Sequence, residues 1–282
     1  MKKLLSLVFI MCLTFSVNAQ IQTPQPSPAI KIEQKVGLTD VTLEYSRPAM
    51  RGRTIFGDLV PYGEVWRTGA NANTKINFST DVMINGKKLE KGSYAIYSIP
   101  NKDSWEVMFY SSTDNWGVPQ NWDESKVALK AKAETTELPM SMDSFVIMLH
   151  DITNDSASLN FAWENTKATL LLEVPTDELA TASIEKIMNG PTASDYFAAG
   201  TYYHESGKDL EKAYQWVSKA TEMAGDQAFW MLRRKSLIEA EMGKKDQAIE
   251  TAKKSLASAE KANNADYVKM NKESIAEWEG SK

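Results

Sequence analysis

Cysteine is almost missing from this chain of 282 residues: the single Cys12 lies inside an N-terminal apolar run. A chain processed after that run has no disulfide, no thiol nucleophile and no cysteine-ligated metal. Histidine is nearly as scarce, with His150 and His204 on segments of different expected architecture, so a histidine-clustered metal site is excluded. No phosphate-cradling glycine loop, nucleophile elbow or zinc-peptidase helix occurs. After Ala19 no continuous apolar stretch reaches the roughly 20 residues that cross a bilayer. One sign of charge does not dominate either: the net charge is −5, with acids and bases interleaved, which implies neither nucleic acid nor an anionic membrane surface as partner. We therefore expect no cofactor and no metal.

The N-terminus supplies the first positive signal. Met1-Lys2-Lys3, the apolar run Leu4 to Val17 and then Val17-Asn18-Ala19 have the layout of a secretory leader with a small-x-Ala cleavage site. Residues 1–19 read as a signal peptide cleaved before Gln20, with a retained anchor as the alternative, and the product as periplasmic or secreted. About 260 remaining residues favour two domains. Residues 20–28, with Pro24, Pro26 and Pro28, read as an extended tether.

Residues 29–175 read as β. Val41, Leu43 and Tyr45 alternate with Thr42, Glu44 and Ser46, Ile76 and Phe78 alternate with polar neighbours, and Asn85-Gly86 is a strong hairpin signal. Further strands are expected at Ser93 to Ile99, Trp105 to Tyr110, Val127 to Ala133, Ser144 to Asp151, Ser156 to Trp163 and Ala168 to Val174, with Glu164-Asn165-Thr166 as a turn. Nine or so closely spaced strands without interposed helices predict an antiparallel sandwich or barrel.

At Pro175-Thr176-Asp177-Glu178 the pattern changes, with Thr176 placed to cap a helix and two acids in its first turn. Residues 176–282 read as an all-α tail of helical hairpins. His204-Glu205-Ser206-Gly207-Lys208 before Ala213 resembles Glu241-Met242-Gly243-Lys244 before Ala248, a spacing of about 35 residues against the tetratricopeptide period of 34. Such a tail can offer a groove to a peptide or protein partner. Its apolar residues Trp216, Phe229, Trp230, Leu232, Leu237 and Ile249 fit a helical core.

The richest stretch is Arg47 to Thr74, to which neither a strand nor a helix period can be fitted. It holds Arg47, Arg51, Arg53 and Arg67 against only Asp58 and Glu64, with Tyr62, Trp66, Asn71, Asn73 and Thr74. A guanidinium offers a planar fork of donors that fits carboxylate or phosphate and stacks on aromatic rings. Arg47, Arg53, Tyr62, Trp66, Arg67, Asn71 and Asn73 are thus the candidate binding residues for a polar or anionic ligand or glycan. The structural alternative is that the same arginines satisfy loop carbonyls while Trp66 fills the open end of the β core. A second irregular stretch, Ser111 to Ser125, brings Trp116 and Trp122 and is a candidate second wall. Catalysis has weaker support. His150 ends a strand without an orienting partner or nucleophile, and His204 sits among helix residues. A glycan-directed hydrolase would have to draw its acid and base from Asp58, Glu64, Asp114, Asp123 or Glu124.

Tyr45-Ser46-Arg47-Pro48, Gly52-Arg53, Ile55-Phe56-Gly57, Leu59-Val60-Pro61-Tyr62-Gly63 and Val65-Trp66-Arg67-Thr68-Gly69-Ala70-Asn71 with Thr74 closely resemble the bacterial exported family filed as domain of unknown function 2911. The likeness continues through Gly86-Lys87, Gly92-Ser93-Tyr94 and Ile99-Pro100 to Trp105. It implies an exported β-rich domain, often followed by a helical tail, and brings no established activity, ligand or catalytic residue. The residues themselves favour a non-enzymatic binding or assembly protein of the cell envelope over a hydrolase or a purely structural scaffold.

Overall fold

In the computed structural model, residues 23–187 and 190–280 are described. The expected leader with Cys12, and Met188 and Asn189 at the expected helix break, lie outside them. The described residues divide into two compact units after Thr176.

The first unit holds nine strands: β1 Ala29–Val36, β2 Thr39–Ser46, β3 Thr74–Phe78, β4 Val82–Ile84, β5 Lys87–Leu89, β6 Gly92–Pro100, β7 Ser104–Tyr110, β8 Val127–His150 and β9 Ser156–Glu173. They form one antiparallel sheet in the order β1-β2-β3-β6-β7-β8-β9-β4-β5, with two free ends rather than a closed barrel. Alternation decides the faces: Val41, Leu43 and Tyr45 are buried while Asp40 and Glu44 are exposed. Asn85 (φ 46°) and Gly86 (φ 73°) both adopt the left-handed conformation that a type I′ hairpin needs, joining β4 to β5.

The last four expected strands are in fact two long ones. Residues 134 to 143 continue β8, and Glu164-Asn165-Thr166 does not reverse the chain. Instead the β8/β9 register shifts between Glu137 and Met142 and again between Met142 and Val146, and Glu164 takes φ 54°. Unpaired residues and a positive φ bend a strand without ending it. The bend carries both strands from one layer to the other. The first half of β8 pairs with β7, while its last residues pair with the start of β9, Ile147 against Phe161.

This bend folds the sheet onto itself around one core. Trp105, Trp163, Phe78, Phe109, Phe145 and Phe161 are fully buried within it. Tyr45 on β2 reaches across to β8, from which three strands separate it in sheet order. Its hydroxyl donates to the Ile147 carbonyl at 3.1 Å and accepts the Ile147 N–H at 2.9 Å. Two main-chain groups at the buried bend are thereby satisfied by a single side chain.

α1 Thr176–Ile187 begins on the last residue of the first unit, and the second unit continues with α2 Ala193–Glu205, α3 Leu210–Ala224, α4 Phe229–Glu241, α5 Lys245–Lys261 and α6 Ala265–Gly280. Thr176 opens α1, but its hydroxyl accepts the Leu38 N–H at 3.3 Å, so the expected cap is diverted to the turn between β1 and β2. Thr192 and Asp195 form a reciprocal capping box at α2, and the Asp209 side chain caps α3. Ala213 and Ala248, matched in the sequence, are both fully buried. At Gly200 an added Cβ would lie 2.6 Å from Val217 Cγ2 and 3.0 Å from the Ala213 carbonyl, so only glycine lets α2 sit this close to α3. On α5 and α6, Ile249, Ala252, Ile275 and Trp278 form a separate small core.

Tyr45→Phe should lower stability by roughly 1–3 kcal/mol, the cost of stranding the Ile147 main-chain groups. In urea unfolding the midpoint should fall with an unchanged slope.

Candidate functional site

The stretch between β2 and β3 is irregular but tightly laid down. It first runs along β8: the Phe145 N–H donates to the Pro48 carbonyl at 2.9 Å and the Met50 N–H to the Asp143 carbonyl at 2.7 Å. It then makes a small turn that buries Ile55, Phe56 and Val60. At the head of that turn Gly57 has φ 88°, and an added Cβ would lie 2.8 Å from the Tyr62 ring. Next Trp66 exchanges two main-chain bonds with Ser98 on β6, at 2.7 and 2.9 Å.

Trp66 points into the core. Its ring stacks on Trp163 at 5.9 Å and meets Phe145 at 5.1 Å, Trp105 at 6.0 Å and Phe56 at 6.3 Å edge-on. This aromatic plug fills the open end of the folded sheet.

The arginines are distributed rather than gathered. Arg47 Nε donates to the Phe145 carbonyl at 3.0 Å, and Arg51 Nη2 to the Pro26 carbonyl at 2.9 Å. Arg53 closes its own turn, donating from Nε to Met50 at 2.9 Å and from Nη2 to Ala49 at 2.7 Å. Arg67 Nη1 donates to the Asn71 carbonyl at 2.9 Å. Every one of these arginines thus serves a main-chain oxygen. Tyr62 is exposed over Gly57, and Asn71 Nδ2 donates to the Ser27 carbonyl at 3.1 Å and the Ser46 hydroxyl at 3.2 Å.

Of the residues singled out in the sequence, Arg67, Asn71 and Asn73 come together, at the end of the loop where it meets the second irregular stretch. The Asn73 N–H donates to the Asn115 carbonyl at 3.2 Å, and the Asn115 N–H returns to Asn73 Oδ1 at 3.0 Å. The Arg67 guanidinium lies over Gly117, where an added Cβ would be 3.1 Å from Cζ. Tyr97 beneath donates its hydroxyl to the Gly117 carbonyl at 3.1 Å. Trp122 from the same stretch packs on Tyr97 at 5.3 Å and Tyr110 at 4.8 Å, covering the back face of β6 and β7.

Beside this clasp lies a groove of about 520 Å³, lined by Ala29 to Lys31 on β1, Glu44 to Ser46 on β2, and Ala72, Asn73 and Lys75. Strand register sets its charges, because Lys31 pairs with Glu44 and Glu44 with Lys75 in one row across three strands. Asn73 is only 3% exposed, and its Nδ2 has no hydrogen-bond partner. Because Oδ1 receives the Asn115 N–H, the amide orientation is fixed and the free end is a donor. Lys75 reaches Asp114 at 3.4 Å, a loose pair in which Asp114 is almost fully exposed. Sequence alone named Asn73 but missed Lys31, Glu44 and Lys75. Alternation put them on the solvent side of their strands, while only the register puts them in one row.

Asp123 and Glu124 are otherwise occupied. Asp123 caps the 3-10 turn at Glu124–Lys126, and its bond from the Ser125 hydroxyl holds its carboxyl below the usual range. Lys130 and then the Trp122 indole do the same for Glu124. His150 is exposed and bonded to Asp151, while His204 on α2 bonds Glu241 at 2.7 Å. Among the described residues no three acids, histidines or cysteines gather as a metal site, and no helix is long and apolar enough to cross a membrane.

Two outcomes test this geometry. Trp66→Ala should cost about 3–5 kcal/mol in chemical denaturation, since the plug cannot collapse around the loss of a packed indole. Burial pushes the Tyr97 phenol above its ordinary value, more than Asn115 and Arg67 offset. Its stabilising contribution is therefore complete below the unfolded value of about 10 and is lost as pH rises through the folded value. The melting temperature of the wild type should fall in that alkaline window, and less steeply in Tyr97→Phe.

No curated protein matches the chain. Residues 27–172, just over half of it, match the family described as "Protein of unknown function (DUF2911)", and the chain belongs to that family.

Proposed function

We propose that this is a non-enzymatic binding or assembly protein of the cell envelope, exported to the periplasm or beyond, whose β unit takes a small polar or anionic ligand. The observation that carries the reading is the unpartnered amide donor of Asn73, buried in a groove that Lys31 and Lys75 flank. A buried donor without a partner costs about 1–3 kcal/mol, and an acceptor from a guest offsets that cost. The binding centre moves, relative to the sequence expectation, from the arginines to the end of the loop. Arg67 and Asn71 support it by shaping the turn that carries Asn73. The helical hairpins α2–α3 and α4–α5 suit a peptide or protein partner, which fits an assembly role.

Two alternatives have specific support or its opposite. Bonds from all four arginines to main-chain oxygens favour a scaffold role for the front of the loop. A hydrolase needs a carboxylic acid held protonated near neutral pH, whereas Asp123 and Glu124 are both pushed the other way.

Thermal-shift titrations with acetate, sugar acids, neutral sugars and short peptides check the reading. At about 100 times Kd a bound anion should stabilise the wild type by about 2.7 kcal/mol, and the Lys31→Ala/Lys75→Ala variant should lose that gain. Equal shifts in both proteins, or none in the wild type, would remove the groove as a binding site.

A further inference from the structure

We propose that the groove beside Asn73 binds a saccharide chain bearing carboxylates, with the indole of Trp116 as its stacking platform; this rests on the binding function proposed above. Trp116 is 77% exposed, although Trp122 in the same irregular stretch is packed against two tyrosines. An indole combines a large apolar face with a polar N–H, which suits it to recognition when the backbone that presents it is held in place. Here that backbone is pinned on both sides. Asn115 exchanges two bonds with Asn73 and donates from Nδ2 to the Ser112 carbonyl at 3.0 Å, and the Gly117 carbonyl receives the Tyr97 hydroxyl.

Two bonds tie the segment to the groove: Asp114 is paired with Lys75 and Asn115 with Asn73, both of which line it, and Trp116 is the next residue along the chain. The groove and the segment beside it thus offer four kinds of contact: an amide donor that lacks an acceptor, two ammonium groups, of which Lys31 is paired with Glu33 at 2.5 Å and Lys75 only loosely with Asp114, one carboxylate between them, and a flat aromatic face. A pyranose ring supplies a flat C–H face for the indole, and its hydroxyls can donate to Glu44. Its carboxylate accepts from Asn73 and meets Lys75, whose loose bond to Asp114 is readily exchanged. A polyphosphate suits the groove less well, because Glu44 sits between the lysines and Asp114 lies beside one of them. No covalent step is involved.

Calorimetric titration of the full chain with tetragalacturonate, cellotetraose and tetraglutamate decides the matter, using wild type, Trp116→Ala, Trp116→Phe and Lys75→Ala. Tetragalacturonate should bind the wild type, and Trp116→Ala should weaken it about tenfold, as expected for loss of a central aromatic anchor. Trp116→Phe should retain most of the affinity. Lys75→Ala should weaken binding and flatten its dependence on salt, while neutral cellotetraose should bind more weakly than the acidic chain. If Trp116→Ala binds tetragalacturonate as the wild type does while Lys75→Ala does not, the platform is overturned and the groove survives. Tetraglutamate binding as tightly as tetragalacturonate would overturn the saccharide assignment in favour of a peptide. Absence of binding by every probe would overturn both the platform and the groove. Trp116 is so exposed that its replacement leaves the fold intact, and matching melting curves check this.

Discussion

A two-layered sheet made by bending β8 and β9 has an end that no strand closes, and the burial of main-chain polar groups there is the constraint from which the rest of the β unit follows. The carbonyls of Ala49, Met50, Asn71 and Phe145 receive guanidinium donors from this loop. Arginine serves them with several donors on one planar group, and its stem covers apolar surface on the way. The indole of Trp66, stacked on Trp163, fills the space that remains. A loop of this length stays ordered because its apolar anchors and its arginines work toward one arrangement.

The candidate site arises where that loop ends. Once Arg67 has fixed the turn through the Asn71 carbonyl, Asn73 is delivered to the second irregular stretch, and the reciprocal bond with Asn115 uses its acceptor and leaves its donor over. The neighbouring charges come from an unrelated cause, the register of β1, β2 and β3, which lines up Lys31, Glu44 and Lys75. Recognition chemistry therefore sits at the junction of an irregular segment and a regular one. Loops placed by a rigid sheet commonly carry function for this reason.

Much of the architecture was legible in the residues. Period-2 alternation located β2 and β3, the strands expected at Ser93 to Ile99 and Trp105 to Tyr110 are β6 and β7, Asn85-Gly86 located its hairpin, and the repeat around Ala213 and Ala248 located two buried helix contacts. The continuity of β8 and β9 was not legible, because polar residues such as Glu164-Asn165-Thr166 have turn chemistry wherever they occur. Only long-range pairing shows that β9 runs on through them while the extra residues fall on β8. At the site, Asn73 stood out as a polar group in a loop. The importance of its neighbours was hidden, since Lys31, Glu44 and Lys75 each look like an ordinary solvent-facing strand residue until the pairing is known. The arginines illustrate the reverse case: a guanidinium suited to an outside anion is equally suited to an internal carbonyl, and composition does not distinguish the two.

The handshake between Asn73 and Asn115 joins two segments that are separate in the sequence. Each amide or carbonyl in it is satisfied only if the other segment keeps its length and its backbone path. An insertion or deletion in either one would release both, and with them the seat of Arg67 above Gly117. The two segments should therefore drift together across relatives, with changes on one side matched on the other, while the exposed tip between Gly57 and Gly63 remains free to vary alone.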